Sequence, residues 1–102
     1  MSRKGATVII IGRLARDPKL FVGDGPKAAQ LVIVRTVIEH GEEKLDFTNI
    51  IVHGKQVDIV MENLKKGSLC CVEGRKDIAG GKLVVVANAV TFLGKKGTEH
   101  VG

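Results

Sequence analysis

The residues of this chain that could do chemistry are cations and a few rings, and the chemistry they suit is the binding of an anion. Lysine and arginine number 16 against 11 carboxylates, giving a net charge of +5. That balance fits a polyanionic partner, either nucleic acid or an anionic membrane surface. Arg3, Lys4, Arg13, Arg16, Lys19, Arg35, Lys44, Lys55, Lys66, Arg75, Lys76 and Lys82 are spread along most of the chain. They could line a groove that tracks phosphates, or form a solvated surface that keeps the protein soluble. Rings are scarce: there is no Trp, no Tyr and three Phe. Phe47, flanked by Asp46 and Thr48, is either a stacking platform or a core residue. Phe21 could stack or anchor its loop. His53 could stack on a base, meet a phosphate when protonated, or simply end a strand. Phe92 beside Leu93 reads as core or interface.

Other chemistries lack their residues. No His, Cys and carboxylate group has metal-ligand spacing, and neither a Walker loop nor a Rossmann fingerprint is present. Glu42, Glu43 and Asp46 are neighbouring carboxylates without a pocket-forming context, and Ser2 and Ser68 have no evident base. The expectation is a protein that is not an enzyme, with no catalytic residues, no metal, no cofactor and no small-molecule substrate. Cys70 and Cys71 are adjacent, so in a strand they point to opposite faces and read as small hydrophobes in a reducing compartment. No apolar run is long enough to span a bilayer. About five strongly apolar residues follow the charged N-terminus, too few for a signal peptide. A cytoplasmic protein with no membrane partner is expected.

The elements that must position these residues are mostly strands. At 102 residues the chain makes one domain, and its Val, Ile and Leu content favours β structure. Ala6 to Leu14 reads as a strand in which Gly12 suggests a bulge or bend, ended by Arg16-Asp17-Pro18. Phe21 to Pro26 is turn chemistry. Lys27 to Glu39 is a second strand, with Leu31, Ile33, Arg35 and Val37 on one face. Arg35 there needs either an open face or a carboxylate partner, Asp46 or Glu73. His40 to Glu43 reads as a hairpin loop and Lys44 to His53 as a third strand.

Val57, Val60, Met61 and Leu64 then fall at helical spacing. Asp58 sits in the first turn and Lys65-Lys66 in the last, with Gly67 as the stop. Strands follow at Ser68–Ile78 and Leu83–Leu93, joined by a tight turn at Ala79 to Lys82. Residues 1–94 are expected to form the domain and 95–102 a mobile tail. Five strands with one helix between the third and fourth predict an all-β OB-fold, a Greek-key barrel plugged at one end by its helix. Ile9, Ile11, Val32, Val34, Ile38, Ile51, Val85 and Ala87 cannot all lie inside one small barrel, so part of this set is expected to form a contact between copies of the chain.

Several stretches carry a family resemblance. These are I-I-G-R-L-A-R-D-P near the start, then F-T-N-I-I-V-H-G-K-Q-V-D-I-V-M-E-N-L-K-K-G-S-L-C-C-V-E-G-R, and V-V-V-A-N-A-V-T-F-L-G at the end. Together they resemble bacterial single-stranded DNA-binding proteins over about nine-tenths of the chain. The resemblance implies an OB-fold subunit that assembles into a homo-oligomer, tetramer or dimer, and wraps single-stranded DNA without reading sequence. It favours Lys55, Lys66 and Arg75, which fall inside the matching stretch. It also shows departures. Phe47 stands where the family has a Trp opening the third strand, and His53 where it commonly has Phe. Glu39 or a neighbour replaces another Trp. The loop that carries a further Trp is cut to Ala79-Gly80-Gly81, and the acidic tail is missing.

The expectation is therefore single-stranded DNA binding, with RNA as a further candidate, as a replication, recombination or repair accessory held more by charge than by stacking. The alternatives are an OB-fold assembly module that has lost strong DNA binding, or a primosome-type accessory protein.

Overall fold

The computed structural model describes residues 7–94. Arg3, Lys4 and the tail expected at 95–102 lie outside the described residues. The elements are β1 (Thr7–Leu14), β2 (Lys19–Phe21), β3 (Ala28–Glu39), β4 (Glu42–His53), α1 (Gln56–Asn63), β5 (Leu69–Ala79) and β6 (Lys82–Gly94). Hydrogen bonding runs β1-β5-β6-β4-β3-β2, and β1 also pairs with β3, which closes the five long strands into a barrel. All pairings are antiparallel except β4 with β6. With α1 between the third and fourth long strands, this is the OB-fold that the element order predicts.

Closure depends on Gly12. At this point β1 leaves β5 (Gly12 opposite Cys70) and meets β3 (Arg13 opposite Val34). A Cβ on Gly12 would lie 2.6 Å from Ile33 Cγ2 and 2.9 Å from both the Val34 carbonyl oxygen and Arg35 Cγ. The glycine therefore marks a close approach of two strands, and of the two readings, bulge or bend, the bulge is not found there. The register of β1 on β5 is unbroken from Thr7 to Arg13, and the irregularities fall instead between β5 and β6.

The segment after Pro18 differs from its sequence reading. Pro18 interrupts the ladder because it has no N–H to donate, but the chain stays beside β3. Ala15 N–H donates to the Val32 carbonyl at 2.7 Å, and Lys19, Leu20 and Phe21 then pair with Gln30, Ala29 and Ala28. Phe21 thus ends a short strand instead of opening a loop. The first hairpin is also tighter than expected. Its turn is His40-Gly41 alone, both with positive φ (54° and 79°), the geometry that suits the twist of a two-residue hairpin. Glu42 and Glu43 already belong to β4.

The helix buries the predicted stripe. Val57, Val60 and Leu64 are buried and Met61 packs against the core, worth about 5–9 kcal/mol gross for the three at roughly 1.5–3 each. It is a two-turn helix, ending at Asn63, with no basic residue in its last turn. Lys65 and Lys66 belong instead to a turn in which Ser68 N–H donates to the Lys65 carbonyl. Gly67, third in that turn at φ 91°, supplies the positive φ of a type II turn and does not cap the helix. Gln56 fastens α1 to β6: its Nε2 donates to the Asn88 carbonyl at 2.8 Å and its Oε1 accepts from Val90 N–H at 2.9 Å. Ile10, Leu14, Leu31, Ile33, Ile50, Val52, Cys70, Val72 and Val85 complete the core.

Candidate nucleic-acid interface

Alternation along β3 and β4 sends one set of side chains into the barrel and the other outward. Leu31, Ile33, Ile50 and Val52 go in. Phe47, Asn49, Ile51 and His53 on β4 share the outward face with Ala28, Gln30, Val32 and Val34 on β3, because directly paired residues project to the same side. Register then assembles rows across strands. Val34 lies between Arg13 of β1 and Phe47 of β4. Ala28 lies between Phe21 of β2 and His53 of β4. Two predicted rings thus flank one small side chain, and a predicted ring and cation flank another.

These two rows lie about 20 Å apart along β4, at roughly 3.3 Å per residue. Between them Lys19 pairs with Gln30, and Gln30 Nε2 donates to Asn49 Oδ1 at 3.4 Å. Lys19 Nζ sits 5.4 Å from the centroid of the Phe21 ring, within cation–π range.

Phe47 is 58 % exposed and stands between two hollows. The first, of about 530 Å³, is lined by Arg13, Leu14, Ala15, Val34, Phe47, Lys66 and Gly67. Local bonds hold the Arg13 guanidinium and the Lys66 backbone in place. Arg13 Nη1 donates to the Gly67 carbonyl at 2.9 Å, and Lys66 N–H donates to Asp17 Oδ1 at 2.8 Å, which leaves the Lys66 ammonium unconstrained by that contact. The second hollow, of about 410 Å³, opens at the barrel mouth between β1, β4 and β6 and brings together Arg35, Asp46, Phe47, Thr48, Asn49, Lys76 and Leu83. Arg35 occupies the inward face of β3 beyond the last core residue, its stem passing over Gly12. Of the two carboxylates the sequence offered, Asp46 takes it, at 2.9 Å.

The remaining candidates lie elsewhere. Arg16 is exposed in the connection after β1, and Lys55 is exposed at the start of α1. Lys44 pairs with Glu39 at 3.3 Å in the first hairpin, a surface contact of small energy. Arg75 projects outward from β5, opposite Thr7 and Val86, and lines neither hollow. Phe92 also lies outside both. The row positions of Gln30 and Asn49 escaped the sequence reading, and so did the ring contact of Lys19. The signal was Lys19-Leu20-Phe21 itself, whose alternation places Lys19 and Phe21 on one face once the segment is read as a strand.

Among the described residues no group of three or more metal-ligating side chains comes together, and no helix is long and apolar enough to cross a membrane. The Cys70 thiol is buried, and burial together with the neighbouring Cys71 pushes it up to about 11.

The profile of the single-strand binding protein family matches residues 6–79. A single-stranded DNA-binding protein of Halalkalibacterium halodurans is 37 % identical over 108 residues, covering 93 % of this chain and 64 % of its own length. Single-stranded DNA-binding protein 1 of Staphylococcus aureus strain MSSA476 is 38 % identical, with 89 % of this chain and 67 % of that protein covered. The chain thus spans about two thirds of the length of these relatives. In three dimensions it matches the small single-stranded DNA-binding protein from Streptomyces coelicolor with a TM-score of 0.76 at 14 % identity, covering 89 % of this chain and 95 % of that one. At that identity the likeness speaks for the fold alone.

Proposed function

Because the chain belongs to the single-strand binding protein family, we propose that it binds single-stranded DNA on the outward face of β3 and β4, largely independently of sequence. The observation that carries the site is the Arg13–Val34–Phe47 row, with Lys66 on the same hollow. A ring on which a base can stack stands with one intervening strand between it and a cation that can meet the neighbouring phosphate. From there the strand runs along β4 over Asn49 and Ile51 to the Phe21 and His53 row, where Lys19 supplies a further cation. Stacking is worth about 1–3 kcal/mol per base, and rings are few, so phosphate contacts supply most of the affinity. Arg35 and Lys76 act from the barrel mouth. Lys55 and Arg16 extend the positive margin, and Lys44 and Arg75 contribute only to the general field. RNA presents the same phosphates and base faces and is expected to compete.

The protein acts by binding rather than catalysis, in the cytoplasm, as an accessory to replication, recombination or repair. It works as a homo-oligomer. Two features support this: among the described residues β1 pairs with β3 only at Arg13 and Leu14, leaving its edge open from Thr7 to Gly12, and Ile9 and Ile11 project outward at 64 % and 52 % exposure. An open edge beside apolar side chains is a surface that a second copy can cover. Sedimentation at micromolar concentration is expected to show a dimer or tetramer; a monomer would contradict this part.

The binding assignment is tested by fluorescence anisotropy with a labelled oligo-dT at low salt, with duplex DNA as competitor. Arg13→Glu with Lys66→Glu is expected to weaken binding and to make the salt slope shallower by about 0.7 per lost phosphate contact. Unchanged affinity in the double variant would move the site off this face.

A further inference from the structure

The hollow at the barrel mouth holds, besides the cations Arg35 and Lys76, a carboxylate that phosphate binding does not use. Both contacts to the Asp46 carboxylate fall on Oδ2: Arg35 Nη2 donates at 2.9 Å and Thr48 Oγ1 at 3.5 Å. Among the described residues Oδ1 receives no hydrogen bond. The Arg35 Nε–H is buried and has no partner there either, and a buried donor left unpaired carries a desolvation cost. Asp46 already pairs with Arg35 and is partly open to solvent; a carboxylate repels a phosphate, so the side that Arg35 leaves free suits a hydrogen-bond donor instead. Val8, Ile10, Leu83, Val84 and Val85 supply apolar wall around this pair, Asn49 and Lys76 share the lining, and Phe47 stands at its edge. At about 410 Å³ the space falls within the usual range of small-ligand pockets, about 300–1,000 Å³.

We propose that this hollow takes one base of the bound strand and prefers guanine. The inference rests on the DNA-binding reading above and deepens it, because Phe47 lines both hollows and a strand passing that ring can turn a base inward. The donor and acceptor pattern selects the base. Guanine sets two N–H donors, N1–H and the N2 amino group, beside the O6 acceptor on one edge. Its donors match the Asp46 carboxylate, and O6 matches a guanidinium N–H of Arg35 that Asp46 does not use. Adenine and cytosine offer one amino group beside a ring-nitrogen acceptor, and thymine one N–H between two carbonyl oxygens, so each leaves part of the pair unmatched. Recognition of an unstacked base on its Watson–Crick edge is the usual way a single strand is read. The preference is a local bias on an otherwise tolerant surface.

The test varies the ligand and keeps the protein intact. Labelled oligo-dT carrying one central dG, dA, dC or deoxyinosine is titrated beside all-dT at fixed salt. The dG oligonucleotide is expected to bind about 5- to 150-fold tighter than all-dT, the discrimination of a good bidentate contact. Deoxyinosine, which lacks only the N2 amino group, is expected to lose at least half of that advantage on a logarithmic scale. In Asp46→Asn the ratio of dG to dT, taken within the variant so that any general change in affinity cancels, is expected to fall towards one. Equal binding of the dG and dT oligonucleotides by the natural protein overturns the guanine site and leaves the DNA-binding assignment standing. So does a dG preference that persists undiminished with both deoxyinosine and the Asn variant. Failure of every oligonucleotide to bind at low salt overturns the functional reading and the guanine site with it.

Discussion

Phe47 is one residue on which the binding account turns. It is exposed, it lines both hollows, and it pairs across β3 towards Arg13. Phe47→Ala is expected to weaken oligo-dT binding by about 5- to 150-fold, one stacking contact. Phe92→Ala, outside both hollows, is expected to change it far less at equal stability. Equal losses, measured by anisotropy on variants matched by thermal unfolding, would remove Phe47 as the platform. Cys70 offers a check on the core at the same scale. Burial, with Cys71 beside it, pushes its folded thiol up to about 11 from an ordinary 9.0, so the fold keeps the proton that the unfolded chain releases. Its contribution to stability is intact below about pH 9 and is lost as pH rises from there towards 11. At pH 8 the native Cys70 is expected to resist iodoacetamide and to react after unfolding in denaturant, as read by mass spectrometry. Rapid labelling of Cys70 in the folded protein would contradict the burial.

Among the elements, those carried by local signals were legible in the sequence. The helix stripe at Val57, Val60 and Leu64, the Gly80-Gly81 turn and the alternation through Leu31 and Ile33 each have a single local cause. What was not legible depended on contacts between distant segments. Lys19 to Phe21 became a strand only because β3 lay alongside it after Pro18, and no residue within that tripeptide announces pairing. At Gly12 the sequence allows a bulge or a bend, because a lone glycine in a strand is compatible with either, and the close approach of Ile33 and Val34 is visible only in three dimensions. For the same reason the candidate cations could be named but not sorted: Arg13 and Lys66 meet at one hollow, while Arg75 projects from β5 and lines neither. Two substitutions probe these elements. Gly12→Ala places a Cβ against Ile33 and the Val34 carbonyl and is expected to destabilise by about 1–3 kcal/mol, the usual range for overpacking. His40→Gly relieves a positive φ at the hairpin and is expected to stabilise by a few tenths to about 1 kcal/mol. Denaturant titration reads both, and a neutral Gly12→Ala would deny the close approach.

Across the whole molecule, a +5 chain with three Phe and no Trp or Tyr is expected, on the DNA-binding reading proposed above, to hold its polyanion mainly through charge. Binding of that kind draws its free energy from released counterions and weakens predictably as salt is added. The most direct measurement is the affinity for oligo-dT across a salt series. With Arg13, Lys66 and Lys19 each neutralising one phosphate, the log–log slope is expected to be about −2, at roughly −0.7 per phosphate on a single strand. A flat dependence on salt, or no binding at the lowest salt, would contradict the account.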